Sequence, residues 1–73
     1  MVRVASIEYL DEATKKAKVS LEADTKSEMT GITTDDIIGY PTGYEMDFMS
    51  SVFTTSGEMA FLKSDGTTWN WGD

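Results

Sequence analysis

Ala17, Val19, Leu21 and Ala23 alternate with Lys18, Ser20 and Glu22. Side chains on a strand point to opposite faces in turn, so this run reads as a half-buried β-strand with one aliphatic face. It constrains the fold more than any other stretch of the chain. Upstream, Val2 and Val4 alternate with Arg3, and then Ala5, Ile7 and Tyr9 alternate with Ser6 and Glu8. The apolar phase slips by one between Val4 and Ala5, which marks a bulge or a strand start near Ala5. The polar run Asp11-Glu12-Ala13-Thr14-Lys15-Lys16 separates the two patterns. Residues 3–23 therefore predict an antiparallel hairpin with strands over about 3–10 and 16–23. The competing reading is a helix from Asp11 to Leu21, with Asp11 as cap and Ala13, Ala17 and Leu21 at i, i+4 and i+8. Two of those three are alanines, so the helical face is thin, and Val19 fits only the period of two.

Residues 24–43 change character. Asp24–Gly31 is polar without a clear period, and Thr33-Thr34-Asp35-Asp36-Ile37-Ile38 has the cap and early acids of a single helical turn. Tyr40-Pro41-Thr42-Gly43 reads as a turn. A loop of this length is unusual in so small a domain. It either packs through Met29, Ile32, Ile37, Ile38 and Tyr40 or becomes ordered on a partner. From Tyr44 the β signal returns. Tyr44, Met46, Phe48, Ser50 and Val52 share one face, and Glu45, Asp47, Met49, Ser51 and Phe53 the other. Thr54-Thr55-Ser56-Gly57 is a reversal, Met59–Lys63 alternates again, and Ser64-Asp65-Gly66-Thr67 is a hairpin signal, because Asp-Gly accommodates the positive φ that matches strand twist. Residues 44–72 predict a three-stranded meander. The expected fold is one all-β domain over 1–73 with at most a short helical turn. Its architecture is a small antiparallel sheet, or barrel-like sandwich, of about five strands. The expected core is Val4, Ile7, Tyr9, Val19, Leu21, Met46, Phe48, Val52, Phe61, Leu62 and Trp69.

A chain of 73 residues buries a small core, and disulfides, metals or partner subunits commonly supplement such a core. Neither cysteine nor histidine is present, which removes disulfides and thiolate or imidazole metal sites. The same absence removes Ser-His and Cys-His nucleophile pairs. The paired acids Asp11-Glu12 and Asp35-Asp36 are adjacent in turns, not held across a cleft as acid–base catalysis needs. Calcium, which takes oxygen ligands alone, is the metal chemistry left open. Asp65-Gly66 resembles a fragment of a calcium loop, but the further acids at regular spacing are missing and a hairpin explains the pair. No enzyme activity, cofactor or metal is expected. The formal charge of −7, from 13 acidic and 6 basic residues, opposes nucleic-acid binding, which relies on neutralising phosphates. The cluster Lys15, Lys16 and Lys18 reads as a solvated turn. No apolar run approaches the roughly 20 residues of a membrane span, and the first residues have no signal-peptide core.

Trp69 and Trp71, two apart on the last strand, share a face. They are core residues, a protein-binding anchor or an aromatic platform for sugar, and the sequence leaves the choice open. The strand over 44–53 is apolar on both faces, which calls for cover on both sides. Met49, Phe53 and Trp71 are the apolar residues left when one face is assigned to the core, and they form the expected interface. Their expected partner is a second copy of the chain or another protein.

Gly39-Tyr40-Pro41-Thr42-Gly43-Tyr44-Glu45-Met46, followed by Ser56-Gly57-Glu58-Met59-Ala60-Phe61-Leu62-Lys63-Ser64-Asp65-Gly66-Thr67-Thr68-Trp69, resembles a pattern in short phage and prophage structural-region proteins. There a Pro-x-Gly loop leads to a strand, a Gly-Glu-x-x-x-Leu strand follows, and the chain closes on Ser-Asp-Gly-x-Trp. The connecting segment Ala23–Glu28 is also similar. The resemblance implies a virion component made in the bacterial cytoplasm: a head decoration, spike-base or small tail protein that binds capsid or tail proteins and forms homo-oligomers. No coiled-coil or collagen-like stalk accompanies it, so a complete fibre is not expected. Two other readings remain at this point. One is a small acidic protein-binding module or regulator of a bacterial mobile element. The other is a carbohydrate-binding or host-adhesion module that uses exposed tryptophans.

Overall fold

The alternation at residues 17–23 becomes the central strand of a single mixed sheet. The computed structural model describes residues 1–72, and Asp73, the last residue of the expected domain, lies outside them. The strands are β1 (Arg3–Asp11), β2 (Lys16–Ala23), β3 (Glu45–Met46), β4 (Ser51–Thr54), β5 (Met59–Leu62) and β6 (Trp69–Asn70). Two 3-10 turns, Lys26–Met29 and Thr34–Asp36, lie in the connection after β2. The sheet order is β1-β2-β4-β5-β6, with β3 also paired to β2. The N-terminal hairpin and the C-terminal meander are as expected, and the 11–21 helix is not formed. The sheet is mixed, antiparallel in its hairpin and meander, while β2 runs parallel to both β3 and β4. Parallel neighbours need a crossover of a dozen or more residues. The long segment after Ala23 is that crossover, made here with 3-10 turns in place of an α-helix.

The crossover covers one face of the sheet. Met29 and Ile37 are buried against Val19, Leu21, Val52 and Ala60, and Ile32, Tyr40 and Tyr44 pack on the same cluster. Of the two outcomes left open for this segment, it takes the first and packs through its own apolar residues, although Ile38 stays exposed. Ile38 also exchanges backbone hydrogen bonds with Val2 and Val4, so the crossover covers the start of the β1 edge. Burial holds the Tyr40 phenol well above its ordinary range, at about 12.

Register explains which expected core residues lie outside. The β1–β2 pairing slips between Val4 and Ser6 and again between Ile7 and Tyr9. The first slip is the one the phase change at Ala5 predicts. Each slip moves the following residues to the other face. Val4, Ile7 and Leu10 thus align with Leu21, Val19 and Ala17, while Arg3, Ser6 and Tyr9 align with Glu22, Ser20 and Lys18. Tyr9 therefore leaves the core face, and its hydroxyl donates to Asp47. Ile7 keeps the inward side but remains exposed, as does Leu10.

A second irregularity breaks the strand expected over 44–53. β2 pairs Ala17 with Met46 and Ser20 with Ser51, so Lys18 and Val19 stand opposite the four residues Asp47–Ser50. Two residues are surplus. An even surplus leaves the side-chain phase unchanged, so Met46 and Val52 still face inward while Phe48 swings out, 57 % exposed. Met49 takes φ of 71°, a conformation that side-chain-bearing residues rarely adopt. Ser50, fully buried, joins the strands across the break. Its hydroxyl accepts from the Val19 N–H at 3.1 Å, and its carbonyl accepts from the Leu62 N–H at 2.8 Å. In β5, Ala60 pairs with Val52 and faces inward with Leu62, which turns Phe61 outward and corrects its expected place in the core.

Candidate functional site

The face of the sheet opposite the crossover has no covering layer among the described residues. Pairing of Glu22 with Phe53 and of Phe53 with Met59 sets these side chains on one side, and Ser51 paired with Phe61 continues it. Met59 and Phe61 are 55 % and 43 % exposed, and Phe53 is half-buried between its neighbours. At the bulge beside them Met49 is 48 % exposed, and its N–H is donated to the Leu62 carbonyl, next to Phe61. Met49, Met59 and Phe61 together expose roughly 300 Å² of apolar surface, about the size of the largest patch on an ordinary monomer, which is often functional.

The rest of this face is polar and internally neutralised. The Arg3 guanidinium meets Glu22 at 2.6 Å, the Lys16 ammonium meets Glu45 at 2.8 Å, and Lys18 approaches Glu8 at 3.6 Å. The hydrogen bond and charge of Glu45 raise the Lys16 pKa, and the same pair lowers that of Glu45. Lys15 lies over the Tyr44 ring, 5.3 Å from its centroid. The basic cluster read as a solvated turn is thus engaged by acids and an aromatic ring of its own chain. An apolar centre with a polar rim is the usual anatomy of a protein interface.

Of the three expected interface residues, Met49 and Phe53 belong to this region. Trp71 does not. It is half-buried against the core with Trp69, and the Lys26 ammonium lies 5.2 Å from its ring centroid. A shallow groove of about 640 Å³ runs beside the two indoles, lined by Met29, Thr30, Thr67 and Thr68 among others. Phe61 was missed as a surface residue because both it and Leu62 were placed in the core, although the alternation over Met59–Lys63 sets the two on opposite faces.

The acidic side chains serve turns. Asp11 accepts from the backbone N–H groups of Ala13 and Thr14, and Asp36 accepts from the Thr33 hydroxyl and N–H. Asp65 accepts from the Thr68 hydroxyl and from the N–H groups of Thr67 and Thr68, while Gly66 supplies the positive φ of the β5–β6 turn. The Thr68 hydroxyl first, and then the two amides, pull the Asp65 pKa down to about 2. A carboxyl lowered in the folded state stabilises the fold above its ordinary pKa of 3.8 and loses that contribution as pH falls through about 2. Asp65→Ala is therefore expected to be less stable than the parent at neutral pH, with the gap closing as pH drops from 3.8 towards 2. Urea midpoints measured across that range check it. A gap that stays constant with pH would assign the loss to backbone geometry alone. Glu28 and Glu45, also lowered, contribute to the same acid limb in both proteins.

No group of three or more acidic side chains among the described residues is placed to hold a metal ion. No helix among them is long and apolar enough to cross a membrane. No family model, no curated protein and no solved structure matches the chain.

Proposed function

We propose that this chain is a non-enzymatic structural or accessory component of a phage or prophage particle, acting by protein–protein binding through the open face of its sheet. The uncovered apolar patch around Phe53, Met59 and Phe61 carries the binding part of this reading. The buried core lies on the opposite face, and Met59 and Phe61 remain largely exposed on this one. The virion part rests on the resemblance over Gly39–Met46 and Ser56–Trp69 to phage structural-region proteins. Both stretches adjoin the patch: the first leads into β3 and the bulge, and the second contains β5.

Mass spectrometry of particles purified through a density gradient tests the proposal. The chain is expected in the particle fraction at a fixed ratio to a capsid or tail protein. A Met59→Ser, Phe61→Ser variant is expected to fold and yet be lost from the particles. Recovery of the parent chain only from the unassembled fraction would refute a virion role. That outcome, together with co-purification with a single cellular protein, would favour the regulator of a mobile element.

A further inference from the structure

We propose that the cleft around Trp69, on the crossover side of the sheet, binds a neutral oligosaccharide. The site is separate from the protein contact at the open face, which lies on the other side of the same sheet. Two grooves meet at Trp69. One, of about 490 Å³, runs between Ile32 and Ile37 of the crossover and the β5–β6 turn, with Met46 and Leu62 also in its lining. The other, of about 640 Å³, is the groove beside the two indoles. Thr67 and Trp69 line both. Each volume falls in the roughly 300–1,000 Å³ of small-molecule sites, and their junction at Trp69 leaves room for consecutive sugar rings.

The chemistry of the lining selects the ligand. Four residues of each groove are serine or threonine. The hydroxyls of Thr33 and Thr68 are held by Asp36 and Asp65. Those of Thr30, Thr34, Ser64 and Thr67 hydrogen-bond to no described residue, and each can donate and accept. The charged residues of the lining are engaged within the chain. Lys16 pairs with Glu45, Lys26 lies over the Trp71 ring, and Asp65 accepts from the Thr68 hydroxyl and two amides. A charged ligand would therefore find no free counter-charge, and a wholly apolar one would cover hydroxyls without pairing them.

A pyranose ring meets both parts of this surface. The C–H groups of its face pack on an indole, and the hydroxyls around its edge exchange hydrogen bonds with serine and threonine. Trp69 is half-buried, so part of its ring remains open to the cleft. Nucleic-acid bases also stack on aromatic rings, but the net charge of −7 opposes their phosphates.

Titration of the full chain with maltotetraose, cellotetraose and chitotetraose, followed by tryptophan emission, is the test. The chain has two tryptophans and both line the cleft, so the emission reports on the site directly. At least one of the three sugars is expected to give a saturable change with a Kd of about 1 mM or tighter. Trp69 packs on the core and its removal endangers the fold, so the variant of choice is Thr67→Leu, at an exposed position common to both grooves. It replaces a hydroxyl with apolar bulk. It is expected to raise the Kd about tenfold or more with an unchanged far-ultraviolet spectrum. The Met59→Ser, Phe61→Ser variant is expected to bind sugar as the parent does. No saturable change with any of the three sugars, or equal binding by the parent and Thr67→Leu, would overturn the inference. Either result leaves the proposed function standing, because entry into particles is read at Met59 and Phe61.

Discussion

Replacing Leu21 by alanine lowers the unfolding free energy by about 2–5 kcal/mol, the range for a fully buried leucine whose site cannot collapse. Leu21 is fully buried at the middle of the sheet, between Val4 on β1 and Val52 on β4. Strand partners on both sides fix the backbone, so the neighbours cannot close the cavity. A chain of this length has a total stability of roughly 4–11 kcal/mol, so one substitution removes a large share of it. In a domain this small each kcal/mol moves the melting temperature by about 4–8 °C, so a fall of about 8 °C or more is expected. Thermal melts followed by circular dichroism measure it. Leu21→Met, which nearly conserves volume, is expected to cost less than about 1.5 kcal/mol. Equal losses for the two variants would mean that Leu21 is not packed as described.

Ser50→Ala is expected to destabilise by about 1–3 kcal/mol, the cost of leaving one buried amide without an acceptor. The side chain it removes is small, so lost apolar contact cannot account for such a value. What is lost is the bond from the Val19 N–H to the Ser50 hydroxyl, in a place where the surplus residues have drawn the backbone of the neighbouring strand away. Hydrogen exchange separates this cause from general loosening. The Val19 amide should lose more protection than the Leu21 amide two residues along the same strand. Uniform loss of protection along β2 would argue against it.

β2 and the hairpin were legible because the alternation from Ala17 to Ala23 is unbroken, and the slip at Ala5 appears as a slip in the apolar phase. The second slip, at Glu8, was not legible, because Ile7-Glu8-Tyr9 is itself a clean alternation. The surplus at Asp47–Ser50 was hidden for a different reason. An even insertion leaves the pattern on both sides in step, so one broken strand reads as one continuous strand. Strand direction was not legible either, since a period of two is the same in parallel and antiparallel pairs. Only the length of the segment after Ala23 carried that information. In the candidate site, Phe53 and Met49 could be placed by phase. Phase set Phe61 and Leu62 on opposite faces without saying which faces inward, and the half-buried packing of Trp71 depends on a core that includes Met29 of the crossover, which no local pattern connects to it.

The parallel alignment of β2 with β4 governs the order in which the fold can be made. The β1–β2 hairpin is local in sequence and closes over a short turn. The part of its second edge that pairs with β4 stays open until residues 51–54 arrive from beyond the crossover. Closing that long loop costs entropy before any contact returns it, so this pairing is the slow event in forming the sheet. On a ribosome, the edge of β2 that receives β4 stays unpaired until Val52 has emerged. During that interval the nascent hairpin presents an unpaired strand edge beside an apolar face, the combination most prone to wrong association.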